Sequence, residues 1–179
     1  MLANQQEYIK GRGAQSNPKN KFSFDEYVVE HPEAIDDWEK DKIQTTYYQE
    51  NGSTILNKIN SPDVPLSWSL NPYQGCEHGC VYCYARNSHE YWGFSAGTDF
   101  ESKIVVKKKA PELLRELFSS RKWQVAPISL SGNTDCYQPI ERKLEITRKL
   151  LEVCLEYKNP IGIITKNALI LRDLDILQE

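Results

Sequence analysis

The chain has 179 residues, a formal net charge of −3 and a mean hydropathy of −0.60, values typical of one globular domain and not of a collagen-like or membrane-spanning chain. Its longest apolar runs are far shorter than the ~20 residues of a spanning helix, and residues 1–13 lack the apolar core of a secretion signal. We therefore expect a cytoplasmic protein with no membrane partner. The overall acidity removes any case for nucleic-acid binding from global charge.

The first 62 residues are polar and differ in pattern from the rest of the chain. Residues 10–21 are aperiodic, contain two glycines and four positive charges, and predict a flexible basic arm. Such an arm contacts a nucleic-acid backbone in some proteins and is a solvated tail in others, and the sequence leaves both readings open. We predict an N-terminal arm and leader over residues 1–62 and a folded region over residues 63–179.

From residue 64 onward, the apolar pattern predicts alternating strands and helices. In chain order these are a strand over residues 64–70, a helix over 111–118, a strand over 126–131, a helix over 141–157, a strand over 161–165 and a helix over 169–177. This order is typical of parallel βαβ units with right-handed crossovers. Three units do not close a barrel, so we expect an α/β fold that is the N-terminal part of a longer or truncated protein.

Three of the five cysteines, Cys76, Cys80 and Cys83, lie within eight residues, directly after the first predicted strand. This C-x3-C-x2-C cluster is a poor disulfide framework and a good set of metal ligands. Closed structural zinc and electron-transfer sites use four ligands, so three thiolates leave one metal position open. The cluster predicts an iron–sulfur centre, and the alternative is a zinc site with His78 as the fourth ligand.

Two motifs resemble those of a known family. The C-x3-C-x-aromatic-C loop, with Tyr82 as its aromatic residue, resembles the cluster motif of the radical S-adenosylmethionine (SAM) enzymes in spacing and in position after a first strand. Residues 131–141, SGNTDCYQPIE, resemble the G-x-T-D-x-Y-Q-P-x-E stretch of the subgroup related to spore photoproduct lyase, often described as DNA-repair photolyase-like. The resemblance runs from about residue 64 to residue 179. It implies a partial (β/α)6 TIM-like barrel, truncated here after about three βα units.

The resemblance also implies a chemistry. Cys76, Cys80 and Cys83 would hold a [4Fe–4S] cluster, and SAM would bind at its open iron. An external low-potential electron donor then drives reductive cleavage of SAM to a 5′-deoxyadenosyl radical, which abstracts hydrogen from a substrate that the sequence does not identify. A lyase reaction and a nucleic-acid-related substrate come from the subgroup's label alone. Ser131 and Gly132 stand where those lyases carry a hydrogen-donating cysteine.

Position in the predicted fold gives the remaining site residues. The resemblance assigns SAM contacts to the loop after the second strand, at Gly132, Asn133, Thr134 and Asp135. Tyr82 would shield the cluster, and Lys166, after the third strand, would pair with the SAM carboxylate. The alternatives are a turn cap for Asp135 and a solvated side chain for Lys166.

Two further cysteines have different expected roles. Cys136 follows the second strand, where α/β barrels carry active-site residues, and is a candidate catalytic group near the substrate or an inert loop thiol. Cys154 lies on an apolar helix stripe and is expected to be a buried thiol.

Three functional hypotheses follow. The first is an Fe–S and SAM-dependent radical enzyme. The second is a non-catalytic zinc or Fe–S module that contacts nucleic acid through the basic arm. The third is a truncated remnant that does not bind SAM productively.

Overall fold

The computed structural model describes residues 8–22, 44–60 and 66–179. In these ranges the strands are β1 (Thr46–Gln49), β2 (Leu56–Lys58), β3 (Trp68–Leu70), β4 (Tyr73–Gln74), β5 (Lys103–Val106), β6 (Ile128–Leu130) and β7 (Ile161–Ile163). The α-helices are α1 (Asp99–Ser102), α2 (Ala110–Ser119), α3 (Glu141–Leu144), α4 (Ile146–Glu156) and α5 (Leu174–Leu177), with 3₁₀ helices over Tyr84–Trp92 and Ala168–Asp173. None of the described helices has the length and apolar character needed to cross a lipid bilayer.

The larger sheet carries the three strands that the sequence predicted. Its order is β2-β3-β6-β7, with β3, β6 and β7 parallel and β2 antiparallel to β3. Leu70, Ile128 and Leu130 are wholly buried in this sheet, and helices α2 and α4 pack against each other beside it. The predicted mixed α/β class is therefore confirmed. The strands described here form two small sheets and no closed barrel.

The helix predicted over residues 141–157 is interrupted. Helix α3 ends at Leu144, Glu145 adopts a left-handed backbone with φ of 52°, and α4 begins at Ile146. The buried Glu141 carboxylate accepts a hydrogen bond from Thr147 N at 3.0 Å, so a side chain from the preceding turn satisfies a free N–H at the start of α4. The helix predicted over residues 169–177 is likewise a 3₁₀ turn followed by the single turn of α5.

The sequence did not predict the second sheet, which has the order β1-β5-β4. Strand β1 pairs parallel to β5, and β4 pairs antiparallel to β5. All four residues of β1 are exposed, and β4 has only two residues, so neither shows the apolar alternation that identifies a strand. Residues 64 and 65 of the first predicted strand lie outside the described residues.

The flexible character predicted for residues 10–21 is wrong, because this segment packs against the body. The wholly buried Glu101 carboxylate accepts hydrogen bonds from Gly13 N at 3.0 Å and Ala14 N at 2.8 Å. Asn17 and Asp99 exchange two hydrogen bonds. A Cβ on Gly13 would lie 2.0 Å from the Gly79 carbonyl oxygen, so the close approach requires glycine.

His89 is a buried imidazole between two aromatic rings. Its ring lies 5.1 Å from that of Phe94 and 5.5 Å from that of Phe100, and the side chain is wholly buried. Among the described residues, neither ring nitrogen has a hydrogen-bond partner. Burial lowers the pKa of His89 to about 4, so the ring is neutral in the folded protein at neutral pH.

This burial predicts a pH dependence of stability. Between pH 6.5 and 4 the unfolded chain binds a proton at His89 that the folded chain does not, so the free energy of unfolding falls as the pH falls. Relative to His89→Leu, the native chain should lose up to about 3 kcal/mol over this window. Urea denaturation of both proteins at several pH values measures the difference. Two parallel pH profiles would contradict the assignment.

Candidate functional site

A cavity of about 280 Å³ opens at the carboxyl ends of β3, β6 and β7. Because these strands are parallel neighbours, the loops that follow them meet at one edge of the sheet. The cavity is lined by the cysteine loop, by the loop after β6 and by the residues after β7. The lining residues are Cys76, His78, Cys80, Tyr82, Cys83, Tyr84, Ala85, Ser131, Gly132, Asn133, Thr134, Asp135, Ile164, Thr165 and Lys166.

The cysteine loop is held by backbone hydrogen bonds and by glycine conformations. Cys76 N donates to Phe100 O at 2.8 Å, and Cys83 N donates to Cys80 O at 3.3 Å, which closes a turn. Gly75 has a φ of 80°, and an added Cβ would lie 3.0 Å from two carbonyl oxygens. This position therefore needs glycine where the chain curls into the loop.

All three loop cysteines are free thiols, Cys76 buried and Cys80 and Cys83 half-buried. Burial raises the pKa of Cys76 to about 11, so this thiol loses a proton when it binds a metal. In the described part of the chain, no three His, Cys, Asp or Glu side chains are grouped as closely as the ligands of one metal ion. The three cysteines fit a thiolate-held cluster, because thiolates are suitable ligands and all three side chains line one cavity. Binding of the cluster would bring the thiols closer together.

His78, the fourth ligand of the zinc alternative, also lines the cavity. Its Nε2 atom lies 3.4 Å from Asp135 Oδ2 without making a hydrogen bond. The imidazole therefore contacts the opposite loop.

The loop after β6 is tied to the chain that follows β3. Thr134 Oγ1 donates to Tyr73 O at 2.8 Å, and Asn133 N donates to Asn71 Oδ1 at 3.1 Å. Ser131 adopts a left-handed backbone with φ of 78°, and its hydroxyl donates to Thr134 O. The predicted SAM-binding residues therefore form a fixed loop that faces the cysteines.

Asp135 joins the loops after β6 and β7. Its carboxylate accepts hydrogen bonds from Thr165 Oγ1 at 2.7 Å, Lys166 N at 3.0 Å and Tyr137 N at 2.8 Å. Burial alone would raise its pKa, but the contact with His78 and the hydrogen bonds from Thr165, Lys166 N and Tyr137 N favour the charged form, outweigh burial and hold the pKa of Asp135 at about 2. The hydrogen bond from Tyr137 N to the Asp135 carboxylate forms an Asx turn. This is the turn cap that the sequence predicted as the alternative to a SAM contact for Asp135.

Lys166 and Tyr82 lie at the mouth of the cavity. Lys166 Nζ lies 2.9 Å from Cys80 Sγ, and this hydrogen bond raises the pKa of Lys166. Tyr82 lines the cavity but is 81% exposed, so it does not shield the thiols here. The neighbouring Tyr84 hydroxyl donates to Gly132 O and connects the two loops.

The structure separates the other two cysteines from the cavity. Cys136 is wholly buried in the hydrophobic core, where burial raises the pKa of its thiol, and it is not among the cavity-lining residues. This placement agrees with the predicted role of Cys136 as an inert thiol. It gives no support to the other predicted role, a catalytic group near the substrate. Cys154 is buried on α4, as predicted.

Two residues outside the predicted set of site residues hold the cysteine loop. Gln138 is wholly buried and hydrogen-bonds to the peptide groups on both sides of Cys76. Arg86 donates to Cys80 O at 2.8 Å and pairs with Glu101. The only sequence signal for Gln138 is its place in the 131–141 segment.

Comparison with known proteins gives relatives without an assigned activity. An uncharacterized protein of Mycobacterium tuberculosis is 34% identical over 135 residues, which are 75% of this chain and 40% of the relative. An uncharacterized protein of Methanocaldococcus jannaschii is 31% identical over 122 residues, 68% of this chain and 44% of the relative. An uncharacterized protein of Acidianus two-tailed virus is 26% identical over 164 residues, 89% of this chain and 49% of the relative.

The chain spans less than half the length of these curated relatives. No family model matches the sequence, and no solved structure matches it.

Proposed function

We propose that this chain is part of an Fe–S and SAM-dependent radical enzyme, with Cys76, Cys80 and Cys83 as ligands of a [4Fe–4S] cluster. One observation carries the proposal: the three cysteines share a cavity with the loops after β6 and β7, at the carboxyl ends of three parallel strands. The same arrangement supports a partial (β/α)6 barrel of the radical SAM type, which carries its active site at that edge. When bound, the cluster and SAM supply one-electron cleavage of SAM and a radical that abstracts hydrogen.

The chain's own residues supply binding, charge and position. Asp135 is ionised at neutral pH and, with Thr134, would accept hydrogen bonds from the amino group of SAM. Lys166 would pair with the SAM carboxylate, because its ammonium group lies at the cavity mouth beside Cys80. Gly132 has no side chain, and a Cβ built there would have no atom within 4 Å apart from its chain neighbours, so a ligand has room beside this backbone.

The chain spans less than half the length of these relatives, so the proposal concerns the activity of the whole enzyme. The proposed reaction also needs an external low-potential electron donor. The substrate is a molecule that loses a hydrogen atom to the radical. A nucleic-acid substrate has little support from the basic arm, because residues 10–21 pack against the body and Lys21 pairs with Glu90 at 3.2 Å.

A direct experiment tests the proposal. Anaerobic reconstitution with iron and sulfide should give a brown protein whose reduced form has an EPR signal that changes when SAM is added. With dithionite as reductant, SAM should be converted to methionine and 5′-deoxyadenosine. A colourless protein with one tightly bound zinc ion would overturn the proposal in favour of the zinc module. A brown protein that neither responds to SAM nor cleaves it would favour the truncated remnant.

Lys166 gives a prediction within this test. Replacement by methionine should raise the SAM concentration that half-saturates the EPR change by about tenfold or more, because a charged hydrogen bond to the carboxylate is lost. Iron content should stay at the wild-type level, since Lys166 is not a cluster ligand. Lys166→Arg should restore part of the affinity. An unchanged half-saturation in Lys166→Met would show that Lys166 does not bind the SAM carboxylate.

A further inference from the structure

Gln138 is a buried amide that is not among the cavity-lining residues. It lies in the turn between Asp135 and α3, where its N–H donates to Asp135 O at 3.2 Å and its carbonyl accepts from Glu141 N at 2.9 Å. Its side chain is wholly buried and extends to the cysteine loop. There Oε1 accepts from Glu77 N at 3.1 Å, and Nε2 donates to Gly75 O at 3.1 Å.

The two hydrogen bonds flank a single residue, Cys76. One end of the amide meets a backbone acceptor just before Cys76, and the other end meets a backbone donor just after it. Glutamine satisfies both because its side chain carries a donor and an acceptor on one planar group. An apolar side chain of the same length would remove the hydrogen bonds of Gly75 O and Glu77 N, and a buried unsatisfied group costs about 1–3 kcal/mol.

Cys76 is consequently held more firmly than the other two loop cysteines. Its own N–H donates to Phe100 O at 2.8 Å, so three hydrogen bonds hold the two peptide groups that flank Cys76. Cys80 and Cys83 instead are half-buried and flank the exposed Val81 and Tyr82. Of the three loop cysteines, Cys76 therefore has the most restricted backbone, and the side chains of Cys80 and Cys83 have more space in which to move.

Gln138 also belongs to the loop that carries the predicted SAM contacts. Its backbone is hydrogen-bonded to Asp135, and its side chain is hydrogen-bonded around Cys76. One residue thus connects the loop after β6 to the cysteine loop.

We infer that Gln138 is a positioning residue for the metal centre: its amide fixes the direction of the Cys76 thiol relative to the loop after β6. The inference rests on the proposed function for the identity of the centre, a thiolate-held cluster. The position of Cys76 relative to that loop would affect how a small molecule held by the loop reaches the open metal position. The reason is that the groups around metal ligands orient those ligands.

The test uses Gln138→Met, which keeps the length of the side chain and removes both hydrogen bonds. The matched control is Asn159→Leu. Asn159 is also a buried amide, bonded to Trp123 Nε1 at 3.1 Å and Ala126 O at 3.0 Å, and it does not line the cavity. Both variants should be less stable in urea, so stability alone does not separate a positioning role from a structural one.

The first readout uses the reconstituted protein. Gln138→Met should still take up iron, but a chelator should remove its cluster about tenfold faster than that of the wild type, and the EPR change with SAM should be reduced. Asn159→Leu should match the wild type in both measurements. If the two variants behave alike, Gln138 serves the fold only and the inference is overturned.

The second readout needs no metal and separates failure of the inference from failure of the proposed function. In the metal-free chain, iodoacetamide should alkylate Cys76 about tenfold faster in Gln138→Met than in the wild type, relative to Cys80 and Cys83. Peptide mass spectrometry resolves the three sites. Equal Cys76 labelling in Gln138→Met and Asn159→Leu overturns the inference. If the wild-type chain holds no cluster but Cys76 is labelled faster in Gln138→Met than in the wild type and in Asn159→Leu, the proposed function is overturned and the positioning of Cys76 is supported.

Discussion

Alanine at Cys76, Cys80 or Cys83 will abolish retention of the Fe–S cluster, whereas Cys154→Ala will leave it intact. In the proposed cluster the three loop thiols are the protein ligands, so each substitution would remove one third of them and expose a second iron. Cys154 is buried on α4 and lies away from the cavity. Iron and sulfide content per chain, measured after anaerobic reconstitution and desalting, should fall below about one tenth of the wild-type value in the three loop variants.

Cys136→Ala is a second control for the same experiment. Cys136 is wholly buried in the core, and its replacement should lower stability without lowering iron content. Equal cluster loss in Cys154→Ala or Cys136→Ala would contradict the ligand assignment. A colourless wild-type chain whose zinc is lost in His78→Ala would instead identify the zinc site that the sequence offered as its alternative.

The strands that carry this site were predictable because their pattern depends on burial. Residues 128–130 and 161–163 lie within predicted strands, since short apolar runs bounded by proline or polar residues are typical of strands in a parallel sheet. Parallel order then requires that the loops after the strands meet at one edge. This is why Cys76, Asp135 and Lys166, far apart in sequence, line the same cavity. Their roles towards SAM stay predictions.

The parts that the sequence did not predict depend on contacts between distant residues. Residues 10–21 carry no apolar pattern, and they are ordered by the buried carboxylate of Glu101, nearly ninety residues away. The break at Glu145 follows from the Glu141 carboxylate at the start of α4, and helical periodicity continues through it. Gln138 has an ordinary polar side chain in the sequence. Only the position of the cysteine loop in the fold gives it two partners.

Leucine at Glu141 should produce a large loss of stability, because it removes a buried carboxylate with several hydrogen-bond partners. Glu141 is wholly buried, and its carboxylate accepts from the Tyr73 hydroxyl, from Thr147 N and from Arg172 Nη2 at 3.0 Å. Burial and the Glu141 charge raise the pKa of Tyr73 far above its usual range, so this hydroxyl stays protonated and donates. Leucine would leave the hydroxyl and the N–H of Thr147 without a partner.

The expected loss is about 3 kcal/mol in the free energy of unfolding, near the lower end for breaking a buried ion pair, because Arg172 is partly exposed and also pairs with Asp173. Urea denaturation measures it, with the slope of the transition as a check on two-state behaviour. The matched control is Glu156→Gln, which breaks the pair between Arg115 and Glu156, each about half exposed. That exposed pair should contribute less than about 1 kcal/mol. If Glu141→Leu shifts the urea midpoint no more than Glu156→Gln does, the carboxylate does not hold α3 and α4 together, and the break at Glu145 needs another cause.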